Sequence, residues 1–420
     1  SEELVVLSAA SKAELSGALS ALQERVDSQH PLGLIAHDCA AAFVAGAEVR
    51  VSLVAGSLEE LSSKAKRARK ALTDGTTEAL PDADIAFGFG APGIGKIAFI
   101  FPGQGSQYVG MGGAAAMAFD SVRDVWDGAA DMEEFANDRL DRAVFPPPAF
   151  TDEERAEQKR TVTEMATAQP SIAAVSLGYL GLLQRLGLSA DAVAGHSFGE
   201  LSALAAAGRL QESELLATAR KRGELMAEAA ESQAGAMIAV STDAETVAGL
   251  IGDDSGVVIA NDNAPTEVVL AGSVEAIESV SRKLKADGLT TIRLPVASAF
   301  HSNIVAGSCE PFHDYLDSVK WSAGDIDVYA NTSAGVYPKT AKAARRLLAN
   351  QLASPVRFRE MVEAMHAAGV THFVEVGPGR VLTKLVGRCL ADRPHVAVAL
   401  DDKNTAGLRA MWRGLGKLAA

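Results

Sequence analysis

Residues 193–200 contain Gly195-His196-Ser197-Phe198-Gly199, which has the form G-x-S-x-G. A short apolar run, 192–194, enters this stretch, and a helical apolar pattern (Leu201, Leu204, Ala205, Ala207) leaves it. The spacing predicts a strand, a tight turn and a helix, with a serine at the turn. Such an elbow holds a serine hydroxyl clear of the backbone, and small flanking residues let neighbouring segments pass closely. The same pattern also occurs in plain turns of glycine-rich chains, so the rest of the sequence must decide between a nucleophile and a turn.

The bulk properties narrow the class. With 420 residues, 48% hydrophobic and 22% charged, the chain has material for more than one core. A net charge of −14 argues against a nucleic-acid or anionic-membrane partner. Cys39, Cys309 and Cys389 lie far apart without a C-x-x-C pair, which points to a reducing, cytoplasmic setting rather than a disulfide framework. No ligand cluster has metal-site spacing, so no metal is expected. The acidic start, Ser1-Glu2-Glu3, is unlike a signal peptide, and no apolar run approaches the ~18–20 residues of a membrane span. The abrupt start suggests a piece excised from a longer polypeptide.

Along the chain, 1–90 reads as a small α/β unit. It has a strand at 4–8, a helix capped by Ser11, a helix at 35–43, and an alternating strand at 48–54 with Val49, Val51 and Leu53 on one face. A helix then begins at Ser57, and its basic run 64–70 reads as a solvated face. The glycine-rich 88–95 is a linker. A strand at 96–101 runs into Pro102-Gly103-Gln104-Gly105-Ser106-Gln107, and 131–160 reads as an irregular excursion broken by Pro146-Pro147-Pro148. Pro170 is placed as the first residue of a helix reaching about 186. Residues 233–296 read β-α-β-β-α-β, the ferredoxin-like unit, with a turn at 261–265. A strand at 372–376 then meets the Gly377-Pro378-Gly379 turn, and 401–420 reads as a surface tail.

A serine needs a base within hydrogen-bond reach. His196 is adjacent, but on a strand its side chain points the other way. His301 follows the serine in chain order, after a strand end, as in α/β-hydrolase-like enzymes. No orienting acid is evident: Asp253, Asp254 and Asp262 fall in the inserted unit, so a backbone carbonyl is the alternative. An oxyanion needs two donors. The Phe198 amide is one, and Gln104 in the glycine-rich turn is placed to be the other.

The ordered set Phe101-Pro102-Gly103-Gln104-Gly105-Ser106-Gln107, Gln169-Pro170, Gly195-His196-Ser197-Phe198-Gly199-Glu200, Lys221-Arg222-Gly223, Ala299-Phe300-His301-Ser302, Gln351-Leu352, Pro355-Val356 and Glu375-Val376-Gly377-Pro378-Gly379 resembles malonyl-CoA:acyl carrier protein transacylases. It also resembles the acyltransferase domains of type I fatty acid and polyketide synthases. The resemblance covers about 96–400. It implies an α/β fold: an α/β-hydrolase-like large subdomain (96–232 and 297–400) and an inserted ferredoxin-like small subdomain (233–296). A ketosynthase-to-acyltransferase linker domain (1–95) precedes them, and a C-terminal tail (401–420) follows. It makes Ser197 the acyl-accepting nucleophile, His301 its general base, and the Gln104 and Phe198 amides the oxyanion hole. Gln351 would orient His301 through its main-chain carbonyl, and Arg222 would bind the malonyl carboxylate. Gln169, Ser298 and Phe300 would line the pocket.

The resemblance further implies malonyl-CoA as substrate, the phosphopantetheine of an acyl carrier protein as acceptor, a neighbouring ketosynthase domain as partner, and no bound cofactor. Phe300 before His301 resembles malonyl-selective members. Phe198, where many members carry leucine, and Ser298, where malonyl-selective polyketide domains often carry histidine, depart from the pattern. The Phe198 form and the 131–160 excursion are similar to polyunsaturated fatty acid synthases and enediyne-type iterative polyketide synthases. Acetyl or other acyl transfer, a serine thioesterase using the same elbow, and a non-catalytic docking module remain the alternatives.

Overall fold

The structure, a computed structural model, describes residues 2–90, 95–252, 255–296 and 298–420. Asp253, Asp254 and part of the glycine-rich linker (91–94) lie outside the described residues. The chain divides into two compact units, Ser1–Gly95 with Val398–Ala420, and Lys96–Ala397.

In the first unit, strands β1 (Glu3–Ala9), β2 (Val49–Ala55) and β3 (Ile85–Phe89) form an antiparallel sheet in the order β1-β2-β3. The Ser11 and Ser57 hydroxyls cap the helices Lys12–Asp27 and Leu58–Asp74 by accepting from the Glu14 and Glu60 amides. Val5, Leu15, Leu19, Val51, Leu53 and Leu61 form the core. The alternation in β2 predicts one solvated face, yet all seven of its residues are buried. The helix Arg409–Ala419, packed on β2, covers the second face with Met411 and Leu415 buried. Residues 401–420 are therefore not a surface tail. The reason is ionic as well as apolar. Buried Asp84 accepts from Lys64 Nζ (2.8 Å), Arg409 (2.8 Å) and Arg413 Nε (2.6 Å). Lys64, expected on a solvated face, is 5% exposed and part of this cluster.

In the second unit, β4 (Lys96–Phe101), β5 (Ala192–Gly195), β10 (Asp327–Tyr329), β11 (Val370–Glu375) and the boundary strand β12 (Val396–Ala399) form a sheet. Its order is β10-β5-β4-β11-β12, with β10, β5, β4 and β11 pairing in parallel. The register sets Phe101 beside Gly195, Tyr329 beside Ala194, and Glu375 beside Ile100. Four loops therefore leave the same carboxyl edge, where parallel sheets bind ligands. Ala98, Ile100, Ala194, Phe358 and Phe373 are buried in its core, as expected for strands covered on both faces. The helix Met165–Arg185 is the one described helix long and apolar enough to cross a membrane, and 83% of its apolar window is buried inside the protein. It begins before Pro170, which lies inside it. The Glu164 carbonyl accepts from Thr167 and Ala168, so a first turn forms ahead of the proline. The 131–160 region is less irregular than its composition predicts. It contains the helix Leu140–Val144, and the helix Asp152–Thr163 starts in a Thr151/Glu154 capping box.

Strands β6 (Ala236–Val240), β7 (Val257–Ala264), β8 (Glu267–Gly272) and β9 (Thr291–Arg293) form a second sheet, order β7-β8-β6-β9, with every pair antiparallel. The helices Ala244–Ile251 and Val274–Ala286 complete the β-α-β-β-α-β order. The polar run Asn261-Asp262-Asn263, predicted as a turn, continues β7 through two register shifts. Its polar groups are satisfied from elsewhere: Asp262 N–H donates to Val356 O (2.9 Å), and Arg359 Nε donates to the Asp262 carboxylate (3.0 Å).

Breaking a buried ion cluster by removing one partner costs about 3–5 kcal/mol. Asp84→Ala is therefore expected to lower the stability of the first unit by about 3 kcal/mol, read by denaturant unfolding. A loss below about 0.5 kcal/mol would assign the cluster no structural weight.

Candidate active site

The elbow forms where β5 ends. Ser197 has φ +52°, in the left-handed region, and the chain around it is tightly packed. A Cβ on Gly195 would collide with the Gly199 carbonyl carbon, and one on Gly199 with the Phe101 carbonyl oxygen. The G-x-S-x-G spacing thus follows from backbone crossing backbone.

The structure brings Ser197 and His301 together, with Oγ and Nε2 2.7 Å apart. His301 Nδ1 lies 3.0 Å from both the Gln351 and the Ser354 carbonyl oxygens. Two acceptors at Nδ1 fix the proton there and leave Nε2 to accept from the serine hydroxyl. No carboxylate enters this relay among the described residues. Burial, reinforced by the Arg222 charge, pushes the His301 pKa down to about 3, so the imidazole is neutral at physiological pH. His196 faces away, bonding Asn263 Oδ1 (2.8 Å) and packing on the Phe358 ring.

Gln104 follows β4 in a turn closed by Ser106 N–H donating to Gly103 O. Among the described residues, the backbone N–H groups of Gln104 and Phe198 donate to no protein acceptor. The Gln104 side-chain oxygen accepts from Gln169 Nε2 (3.3 Å).

Arg222 is 1% exposed. Its guanidinium donates to Gln169 Oε1 (2.9 Å) and Gln351 Oε1 (3.2 Å), and lies 5.8 Å from the Phe198 ring centroid. It forms no ion pair among the described residues. Burial lowers its pKa to about 10, which leaves it charged at neutral pH. A buried guanidinium held by two neutral amides and a ring face retains capacity for an anion. The ring of Phe198, which has no reading from sequence, thus forms one wall for this cation.

Gln351 joins these parts. Its carbonyl meets His301, its Oε1 meets Arg222, and its Nε2 donates to Ser197 O (2.9 Å). Phe300 lines a cleft of about 450 Å³ together with Gln104, Met165, Pro295 and Val296. Ser298 is fully buried, its hydroxyl has no hydrogen-bond partner among the described residues, and it does not line that cleft. Sequence reasoning missed Ser354 and Asn331. The signal for Asn331 is positional: it lies just beyond β10, at the same carboxyl edge as the elbow.

A serine paired to a carbonyl-held neutral histidine, beside two unpaired amides and a buried guanidinium, defines an enzyme of acyl-ester chemistry. The chain belongs to the acyl transferase domain family, which it matches over residues 98–414. It is 36% identical over 321 residues to the malonyl CoA-acyl carrier protein transacylase of Bacillus subtilis, covering 75% of this chain and 96% of that one. It is 32% identical over 327 residues to one chain of the polyunsaturated fatty acid synthase of Thraustochytrium, covering 73% of this chain and 11% of that much longer one. The acyltransferase domain of an iterative polyketide synthase of enediyne biosynthesis superposes with a TM-score of 0.74 at 27% identity, covering 99% of this chain and 95% of that one. The chain is an acyltransferase.

Because the free His301 titrates far below the ordinary histidine range, kcat/KM for acyl loading should stay flat as pH falls from 8 to about 5. An inflection near the ordinary value of 6.5 would show that His301 is solvated or is not the base.

Proposed function

We propose that this chain moves a malonyl group from malonyl-CoA, through an ester on Ser197, to the phosphopantetheine thiol of an acyl carrier protein. It thereby supplies extender units for polyketide or fatty acid synthesis. The observation that carries the reading is Arg222: a fully buried cation with no ion pair among the described residues, felt only at longer range by the buried Glu200 and tied through Gln351 to the Ser197–His301 pair. Acetyl transfer has no use for that charge, whereas a malonyl carboxylate matches a guanidinium fork. The names of the relatives point the same way.

In this reading His301 Nε2 takes the Ser197 proton as Oγ attacks the thioester carbonyl. The Gln104 and Phe198 amides hold the oxyanion, and each such donor is worth ~3–4 kcal/mol in well-ordered sites. On collapse the C–S bond breaks, the CoA sulfur takes the proton from His301, and the malonyl ester remains on Ser197. The carrier thiol then gives its proton to His301 and attacks the ester, and Ser197 recovers the proton as the C–O bond breaks. The Gln351 and Ser354 carbonyls, in place of an acid, keep His301 oriented.

Residues 96–232 and 297–400 are read as the α/β-hydrolase-like subdomain, 233–296 as the ferredoxin-like insertion, and 1–95 as the linker to a ketosynthase, in a cytoplasmic type I iterative assembly. Helix Arg409–Ala419 is assigned to the linker unit. Phe300 at the cleft favours malonyl over α-branched groups, a preference of the size one methyl allows, ~1–3 kcal/mol.

Two variants test the site. Ser197→Ala is expected to abolish covalent labelling by radioactive malonyl-CoA, and retained label sinks the nucleophile assignment. Arg222→Ala is expected to slow malonyl loading about 100-fold while changing acetyl loading less than about tenfold, the scale of one or two charge-assisted hydrogen bonds. An equal fall for both donors assigns Arg222 a structural role instead.

A further inference from the structure

The elbow holds its serine in a left-handed conformation, φ +52°, that L-residues other than asparagine and aspartate avoid. Something outside the five-residue motif must over-determine that turn. Asn331 is placed to do so. It is fully buried, in the loop after β10, two residues past the Tyr329–Ala194 register pair. Its Oδ1 accepts from the Ser197 backbone N–H at 2.7 Å, and its Nδ2 donates to the Gly195 carbonyl at 2.6 Å. One side-chain amide therefore spans the turn, one residue on either side of His196. Oδ1 also accepts from Gln351 Nε2 (3.4 Å). Asn331 is itself pinned: its N–H donates to Glu200 Oε1 (3.1 Å), and its carbonyl accepts from Arg357 N–H (3.0 Å).

We propose that Asn331 is a positioning residue that clamps the nucleophile elbow, fixing the Ser197 amide so that Oγ meets His301 and the following Phe198 amide stays unpaired for the oxyanion. Asparagine is suited to this place because it offers an acceptor and a donor on one rigid plane. Aspartate keeps the acceptor for Ser197 N–H but sets oxygen against the Gly195 carbonyl, and leucine keeps only the volume. The clamp acts on the turn and not on the substrate, so its loss should appear in the acylation rate constant and leave substrate binding intact. Small misplacements of a reacting group cost up to about 100-fold.

The inference rests on the reading of Ser197 as the acylated nucleophile, and the test separates the two. Wild-type, Asn331→Asp and Asn331→Leu enzymes are mixed with malonyl-CoA, and single-turnover acylation is followed by intact mass. The expected result is a rate constant down about tenfold in the aspartate variant and about 100-fold in the leucine variant. KM should stay within about twofold, and the labelled fraction of folded enzyme should be unchanged. An unchanged rate constant in folded variants, or a loss confined to KM or to the labelled fraction, overturns the clamp. Should the substitutions prevent folding, hydrogen exchange of the wild-type Ser197 amide decides. Protection comparable to the β5 amides supports the bond to Asn331, and rapid exchange refutes it. A wild-type enzyme that takes no malonyl contradicts the proposed function, while the exchange result still judges the clamp.

Discussion

Gln351 is the point through which the site is held together. Its main-chain carbonyl meets His301 Nδ1, while its side chain donates to the Ser197 carbonyl and accepts from the Arg222 guanidinium. It sits in the short helical turn Gln351–Ala353, fully buried. Ser197, His301 and Arg222 come from three separate segments of the chain, and this one residue touches all three. It also explains how the pair works without an acid. Two carbonyl oxygens at His301 Nδ1 fix the tautomer as a carboxylate would, but bring no negative charge beside the Arg222 guanidinium.

Burial sets the electrostatics in both directions. It holds His301 neutral and lowers Arg222 without discharging it. It also pushes Glu200, beside Asn331, and Glu375, which accepts from the Leu382 and Thr383 amides, up to about 7. The signs oppose one another. The neutral His301 contributes stability above 6.5 that is lost as pH falls from there toward about 3. The two glutamates contribute stability below 4.5 that is lost as pH rises through about 7. Taken together, these three groups contribute most near pH 4.5, because above that value the two glutamates outweigh the one histidine. The cationic Arg222 is tolerated because two amide oxygens and the Phe198 ring solvate it.

What was legible in the sequence was local. The elbow could be read because glycines that cannot bear a Cβ flank a serine between a strand and a helix. Ser11, Ser57 and the β-α-β-β-α-β order were legible for the same reason, as caps and alternation are short-range. The failures share a cause: a distant segment supplied what the local pattern lacked. Asn261, Asp262 and Asn263 look like a turn until Val356, Arg359 and His196 satisfy them in a strand. Lys64 looks solvated until Asp84 meets it, and β2 looks half-exposed until Met411 and Leu415 cover it. Pro170 looks like a helix start until the Glu164 carbonyl nucleates an earlier turn. Asn331 and Ser354 carry no motif of their own and become visible only when the carboxyl edge of the sheet gathers its loops.

The central claim is that this site selects a small acyl group by its free carboxylate and holds it on Ser197. The most direct measurement is intact-protein mass spectrometry after incubation with an equimolar mixture of acetyl-, malonyl- and methylmalonyl-CoA, followed by addition of a carrier protein bearing its phosphopantetheine. A dominant single malonyl adduct is expected on the chain, and it should pass to the carrier thiol faster than it is lost to water. A dominant acetyl adduct, or a malonyl adduct that decays to water at the same rate with or without carrier, would contradict the claim.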